Sequence, residues 1–245
     1  MTIRSIATLM LLFFAAAANA QRPENSVYMA GGYSFQTVTA DPMNYIIDRY
    51  NETRDYLTEE MGDMSFSSGP AFSFGFGMGE DEDFILLEIG LTLGSTGNKT
   101  ASGPVDGVSK TRDVKISSYY INTGFAYLLQ NENKFEYGLG LYIDYGGFRV
   151  KTRLYNSNSS KPTFTDIGES QTLLAFTPTL FLDYNFSDQF GLTLRPYYRA
   201  QILTQDLAYV NEYLNPNTYR NDDPEKQKGV ILSGVGAELK AIFYF

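Results

Sequence analysis

The last sixteen residues, 230–245, alternate apolar and small or polar side chains up to an aromatic terminus. Val235, Ala237, Leu239, Ala241, Phe243 and Phe245 share one parity, and Gly234, Gly236, Glu238, Lys240, Ile242 and Tyr244 the other. Period two marks a strand whose two faces meet different surroundings. Here one face is apolar and the opposite face carries two charges in mid-strand, so the strand separates a greasy exterior from a wet interior.

Seven earlier segments repeat the pattern, with Met29, Tyr33 and Phe35 on one face in 27–37, Phe72, Phe74 and Phe76 in 65–78, and Ile85, Leu87, Ile89 and Leu91 in 84–94. Segments 114–129, 135–150, 171–186 and 190–203 follow, led by Ile121 and Phe125, Leu139 and Ile143, Phe176 and Leu180, and Leu192 and Leu194. Gly146-Gly147 is read as a bulge that switches faces before Phe148. No apolar run after the first 20 residues approaches the length of a membrane-spanning helix, the longest clean one being Phe84-Ile85-Leu86-Leu87. A chain of this kind enters a membrane only as a closed barrel, because in lipid every backbone polar group needs a partner. The links alternate as well: 80–83, 130–134 and 187–189 are short, whereas 38–64, 95–113, 151–170 and 204–229 are long. The expected fold is all-β, an eight-stranded antiparallel up-and-down transmembrane barrel with short periplasmic turns, long extracellular loops and a periplasmic N-terminus.

The start of the chain agrees with that location. Arg4, an apolar stretch over 6–18 and Ala18-Asn19-Ala20 read as a signal peptide cleaved before Gln21, leaving 21–245 as one domain. An uncleaved anchor is the alternative, although the apolar stretch is shorter than the ~20 residues a spanning helix needs. In the first long loop, Met43, Ile46, Ile47, Tyr50 and Leu57 recur at helical spacing, with Asp41 placed to cap and Pro42 at a first helical position. This predicts a short amphipathic helix over 42–60; an ordered loop with a chance stripe is the alternative.

Absences bound the chemistry. The chain has no His and no Cys, which removes imidazole acid–base catalysis, thiol nucleophiles, disulfides and N/S metal sites. No catalytic residue, metal site or cofactor is expected, and the chain reads as a non-enzyme. A net charge of −9 argues against nucleic acid as a partner. The inward parity instead carries a polar cluster: Glu88, Asp183, Arg195 and Lys240 at one height, Asp144, Arg199 and Glu238 somewhat higher. In a bore this narrow such charges pair or stay hydrated. Either they plug the lumen or they line a solute path.

With these features and the terminal Phe243-Tyr244-Phe245 in hand, the chain resembles the OmpA/OmpX/OmpW-like eight-stranded outer-membrane barrels, particularly the small barrels common in Bacteroidota. The resemblance implies residence in the outer membrane of a Gram-negative cell, with lipid around the barrel and Phe243 and Phe245 read by the barrel assembly machinery. It also implies a structural or surface-interaction role. The acidic first loop, net −5, is expected to engage a protein partner in the outer membrane or outside the cell, its stripe of Ile46, Ile47, Tyr50 and Leu57 packing either on the barrel rim or on that protein, and the loop is expected to be dispensable for the barrel. An OmpW-like carrier of small hydrophobic solutes is the alternative; a soluble lipocalin-type barrel would need the apolar parity inside. Changing Phe245 to Asp should lower the amount of assembled protein in the membrane without loosening barrels already formed, as read by surface labelling and by heat-modifiable migration in gels.

Overall fold

The computed structural model describes residues 26–80, 83–130, 134–156 and 158–245. The expected leader at 1–20 lies outside them, as do residues 81–82 and 131–133 of two expected turns. The main-chain order is β1 (Val27–Thr37), α1 (Asp41–Glu52), β2 (Phe66–Glu80), β3 (Asp83–Ser95), β4 (Lys99–Val105), β5 (Val108–Gln130), β6 (Phe135–Asn156), β7 (Thr165–Ser187) and β8 (Phe190–Gln201). A short β9 (Gln205–Asp206), α2 (Ala208–Leu214), two 3-10 turns (Tyr219–Asn221 and Pro224–Gln227), β10 (Lys228–Gly229) and the final β11 (Gly234–Tyr244) complete it.

Antiparallel neighbours run β3-β2-β1-β11-β8-β7-β6-β5, and β3 pairs with β5 to close the ring. Eight strands therefore form a barrel, and β4 stands outside it as a hairpin on β5. Its turn is Asp106-Gly107, both with positive φ (53° and 77°), the pairing a two-residue hairpin favours. The sequence reading placed a loop there, although the Asp-Gly signal was present.

Strand length divides the barrel into two levels. β1, β8 and β11 have 11, 12 and 11 residues, whereas β5, β6 and β7 have 23, 22 and 23. At ~3.3 Å per residue and a tilt of ~40°, the short strands rise about 28 Å, close to the ~25 Å apolar band of such barrels, and the long ones about twice that. Much of the second and third long links is thus strand, raised as a wall above one side of the barrel.

Along that wall the two faces exchange character. In the lower half Ile121, Phe125, Leu139, Ile143, Phe176 and Leu180 point outward and are exposed. In the upper half the inward positions are Val114, Ile116, Phe148, Val150, Ile167 and Leu173, all at most 2% exposed, while Lys115, Arg149 and Lys151 point outward. Parity itself does not change: Phe148 stays on the inward side with Tyr142 and Asp144. The expected face switch at Gly146-Gly147 is absent, since β5 and β6 pair in register through both glycines. The irregularity comes next door, where β7 shifts against β6 between Phe148 and Val150. Gly168 takes a φ of +68° in this bulge, and a Cβ there would meet the Tyr209 ring at 2.6 Å. Aromatic clusters mark the edges of the apolar band. Tyr33, Phe35 and Phe66 pack at the upper edge, with ring centroids 4.9 and 6.4 Å apart, and Tyr184, Phe186, Phe190 and Phe243 chain along the turn end at 5.0, 5.5 and 5.1 Å.

The upper apolar face is covered by the first and last long links. Helix α1 begins with Pro42 in its first turn and ends at Glu52, eight residues short of the expected span, because Thr53 and Arg54 turn the chain back. Asp41 sits in the first turn rather than at the cap, which is Ala40. Asn44 and Asn51 then fasten the returning chain: Asn44 Oδ1 accepts from Met64 N at 2.8 Å, and Asn51 both donates to and accepts from Met61. Met43, Ile46, Ile47 and Tyr50 are buried with Val210 and Leu214 of α2 against the wall residues. Of the two places open to the stripe, the barrel or a partner, the structure packs it on the barrel mouth, with Leu57 partly buried beside it. The first loop is therefore part of the upper core. Ile47→Ala should cost about 2–5 kcal/mol of cap stability, seen as faster proteolysis within 38–64 and 202–233 while the lower barrel keeps its heat-modifiable migration.

Candidate functional site

Inward positions stack into three layers. Nearest the turns lies an apolar and aromatic plug of Tyr28, Phe84, Leu86, Leu128, Phe181, Ile242 and Tyr244. An ionic belt fills the middle, and the cap closes the top.

The belt has two linked centres. Glu88 accepts from Arg195 Nη1 at 2.6 and 2.7 Å and from Tyr28 Oη at 2.6 Å. Lys240 Nζ lies 2.7 Å from Glu238 and 3.8 Å from Glu88. The Arg195 guanidinium stacks over Phe181 at 4.3 Å, and its Nε donates to Thr193 at 3.1 Å. One level higher, Asp144 accepts from Arg199 Nε at 2.7 Å, Asn122 Nδ2 at 2.8 Å and Thr177 Oγ1 at 2.8 Å. Arg199 also donates to Gln36 at 2.7 Å and stacks over Tyr120 at 4.1 Å. Both carboxylates and both arginines are buried, so each charge is held by hydrogen bonds as well as by its counter-ion.

Six of the seven residues expected in the lumen meet here, grouped nearly as expected, with Glu238 joined to the lower centre through Lys240. Asp183 is buried nearer the turns, directly across from Glu136. Sequence reasoning missed Tyr28, Gln36, Asn122 and Thr177 as members; all four are neutral, and only their inward parity pointed to them. The space left within the belt is about 30 Å³, edged by Tyr142, Arg195 and Thr179 among others. That is room for about one water, and Arg195 Nη2 and Tyr142 Oη border it without a protein partner among the described residues.

Above the apolar band the charges segregate. Segments 95–117 and 147–170 hold Lys99, Lys110, Arg112, Lys115, Arg149, Lys151, Arg153 and Lys161 against Asp106, Asp113, Asp166 and Glu169, a net of +4. The cap links 38–64 and 202–233 together carry −7. Arg49 and Asn211 both reach Asp222, at 2.7 and 2.8 Å, and Arg54 donates to Leu214 O and Asn215 Oδ1, which locks the two cap links together. On the wall, the hydrogen bond from Arg149 holds the Asp166 carboxyl below its usual value, with Lys151 adding to the effect. Among the described residues no group of three or more acidic side chains is arranged to hold a metal ion.

No family model matches the chain, and no curated protein matches it in sequence. The likenesses lie among solved structures of small outer-membrane barrels. Ail, the attachment invasion locus protein of Yersinia pestis solved in complex with the heparin analogue sucrose octasulfate, is 12% identical, with 91% of this chain and all of that one covered at a TM-score of 0.43. OprG, an outer membrane protein from Pseudomonas aeruginosa, is 9% identical over 92% of this chain and 98% of that one, at 0.45. Neisserial surface protein A is 10% identical, covering 89% and 95%, at 0.39. Identities of this size say nothing about ligands or partners. Among the described residues no helix is long and apolar enough to cross a membrane, a statement that does not bear on strands.

Removing Arg195 leaves Glu88 buried beside a single distant cation. Arg195→Ala should destabilise the barrel by about 3–5 kcal/mol, whereas Arg149→Ala on the outer wall should stay within about 0.5 kcal/mol. Urea unfolding in detergent, followed by tyrosine fluorescence, measures both.

Proposed function

We propose that the protein is a non-enzymatic, non-conducting barrel of the outer membrane, with the turn end in the periplasm and the capped end outside, where the cap and raised wall serve as a surface-interaction element. The observation that carries this reading is filling of the lumen at three levels among the described residues, by the turn-end plug, the ion-paired belt and the folded cap. Strand and helix outside the lipid are built as a second core rather than as mobile loops, which is what a rigid binding face requires.

With Ile46, Ile47 and Tyr50 turned inward, a partner would meet the crown above them. Tyr56 and Tyr213 are exposed there, beside an open pocket of about 220 Å³ lined by Thr53, Arg54, Tyr56 and 215–218. Assembly into the membrane would rest on Phe243 and Phe245, which face outward at the turn end and are 49% and 73% exposed.

One observation favours the carrier alternative: the upper lumen is apolar, as a route for small hydrophobic solutes would be. It is filled by Met43, Ile46, Ile47, Val210 and Leu214, so a carrier would have to displace its own cap. Planar-bilayer recordings separate the two readings. No stepwise current and no uptake of a hydrophobic dye into vesicles are expected from the wild type. Photo-crosslinkers at Tyr56 or Tyr213 on intact cells should yield a discrete adduct; steady currents or dye uptake without any adduct would favour the carrier.

A further inference from the structure

Where the outward face of the wall changes from apolar to charged, it carries a notch. Gly147 occupies an outward position across from Tyr119 on β5 and Thr172 on β7, so this row has no side chain in its middle. A Cβ there would lie 3.0 Å from Ser170 Oγ and 3.1 Å from the Tyr119 ring. Around the glycine opens a surface cavity of about 410 Å³, with Leu93 and Tyr119 on its apolar side and Ser117, Arg149 and Lys151 on its charged side. Arg149 lies four residues beyond Tyr145, an exposed aromatic on the outward face of β6, which at ~3.3 Å per residue and a tilt of ~40° is about 10 Å of height. That sets Arg149 at the outer edge of the headgroup layer, which is about 5–8 Å deep on each side of the hydrocarbon.

Charge on this face is unbalanced by design of the register. Lys115 lies directly across from Lys151, a like-charge pair that destabilises a sheet unless an anion offsets it. Asp166 is the carboxylate opposite, but it is shared, 2.6 Å from Arg149 and 3.6 Å from Lys151. The Arg149 side chain nevertheless remains 53% exposed. Phe164 adds a flat neighbour, 4.3 Å from Lys115 Nζ and 4.4 Å from the Arg153 guanidinium, which fixes these cations on the wall.

We propose that the notch at Gly147 is a binding site for the phosphate-bearing sugar headgroup of an outer-leaflet glycolipid. The phosphate would lie between Arg149 and Lys151, which line the cavity, with Lys115 adding charge from directly across Lys151, and an acyl chain would descend past Tyr119 and Leu93. This rests on the orientation proposed above, since glycolipid of this kind fills the leaflet facing outward. Three features select it over a protein: the site opens sideways at headgroup depth, it joins an apolar floor to a cationic rim, and the wall around it is net positive in a chain of net −9.

The test is retention of bisphosphorylated lipid A by the purified full-length barrel in mild detergent, counted by native mass spectrometry, with folding checked by heat-modifiable migration. Wild type should retain bisphosphorylated lipid A in preference to the dephosphorylated form and to phosphatidylglycerol. Lys115→Ala/Arg149→Ala/Lys151→Ala should lower retention about tenfold, given the cationic contribution at membrane surfaces and the share already taken by Asp166. Ser117→Phe, which fills the notch and keeps every cation, should lower it as well. Equal retention by the triple alanine variant and wild type, equal retention of the dephosphorylated lipid, or displacement by millimolar inorganic phosphate alone would each overturn the assignment. Purified protein binds independently of its direction in the membrane; a tag inserted at Ser159 and detected on intact cells decides the orientation separately.

Discussion

Ring closure, β1 on β11 and β3 on β5, is the constraint on which the rest of the molecule depends. In lipid an open strand edge would leave a row of peptide groups without partners, each costing several kcal/mol, so the sheet must return on itself. With eight strands the resulting bore is only as wide as the side chains that fill it. From that narrowness follow the glycines opposite tyrosines, such as Gly75 beside Tyr28, whose added Cβ would sit 2.2 Å from the ring. The same narrowness forces pairing of the charges: a lumen with little room for water cannot hydrate Glu88, Asp144, Arg195 and Arg199 separately.

A second constraint begins where the lipid ends. The same strands continue upward with the same parity, but their surroundings change from hydrocarbon outside to water outside, and their side chains exchange roles accordingly. Below the boundary the outward set is apolar and the inward set places an ionic belt above an apolar plug; above it Val114, Ile116, Phe148 and Val150 turn inward and Lys115, Arg149 and Lys151 outward. An inward apolar surface open to water would be unfavourable, and α1, α2 and their flanking segments cover it. The cap packs on the wall through Met43, Ile46, Ile47, Val210 and Leu214, while Asn44, Asn51, Arg54 and Asp222 hold the cap links to themselves and to each other. The boundary between the two regimes is also where aromatic, glycine and basic residues meet on the outer face.

Much of this was legible in the chain. Alternation located all eight ring strands and assigned their faces, the lumen cluster followed from the inward parity, and the long and short links came out in the right order. Other readings were changed by the structure. The second and third long links proved to be mainly strand, because 108–113, 151–156 and 165–170 lack an apolar outward face and so resemble loops when judged by a lipid-facing pattern. The amphipathic helix stops at Glu52 rather than running to 60, and its stripe takes the barrel, one of the two places open to it. Alternation at Gly146-Gly147 was mistaken for a change of face when it was a change of solvent.

The sequence by itself determined the architecture and the two-sided chemistry of each strand, because period two is a local property and closure in lipid admits few alternatives. It also determined, by the absence of His and Cys, which chemistries the chain lacks the groups for. Only the tertiary structure decided which charges meet, since Glu88 and Arg195 are 107 residues apart and strand tilt and shear set their pairing. Only it decided what the loop stripe touches, because an amphipathic helix looks the same whether its apolar face meets a partner or its own barrel. The physical reason is one of range: alternation is written between neighbours in the chain, whereas burial depends on surfaces that come together only when the ring has closed.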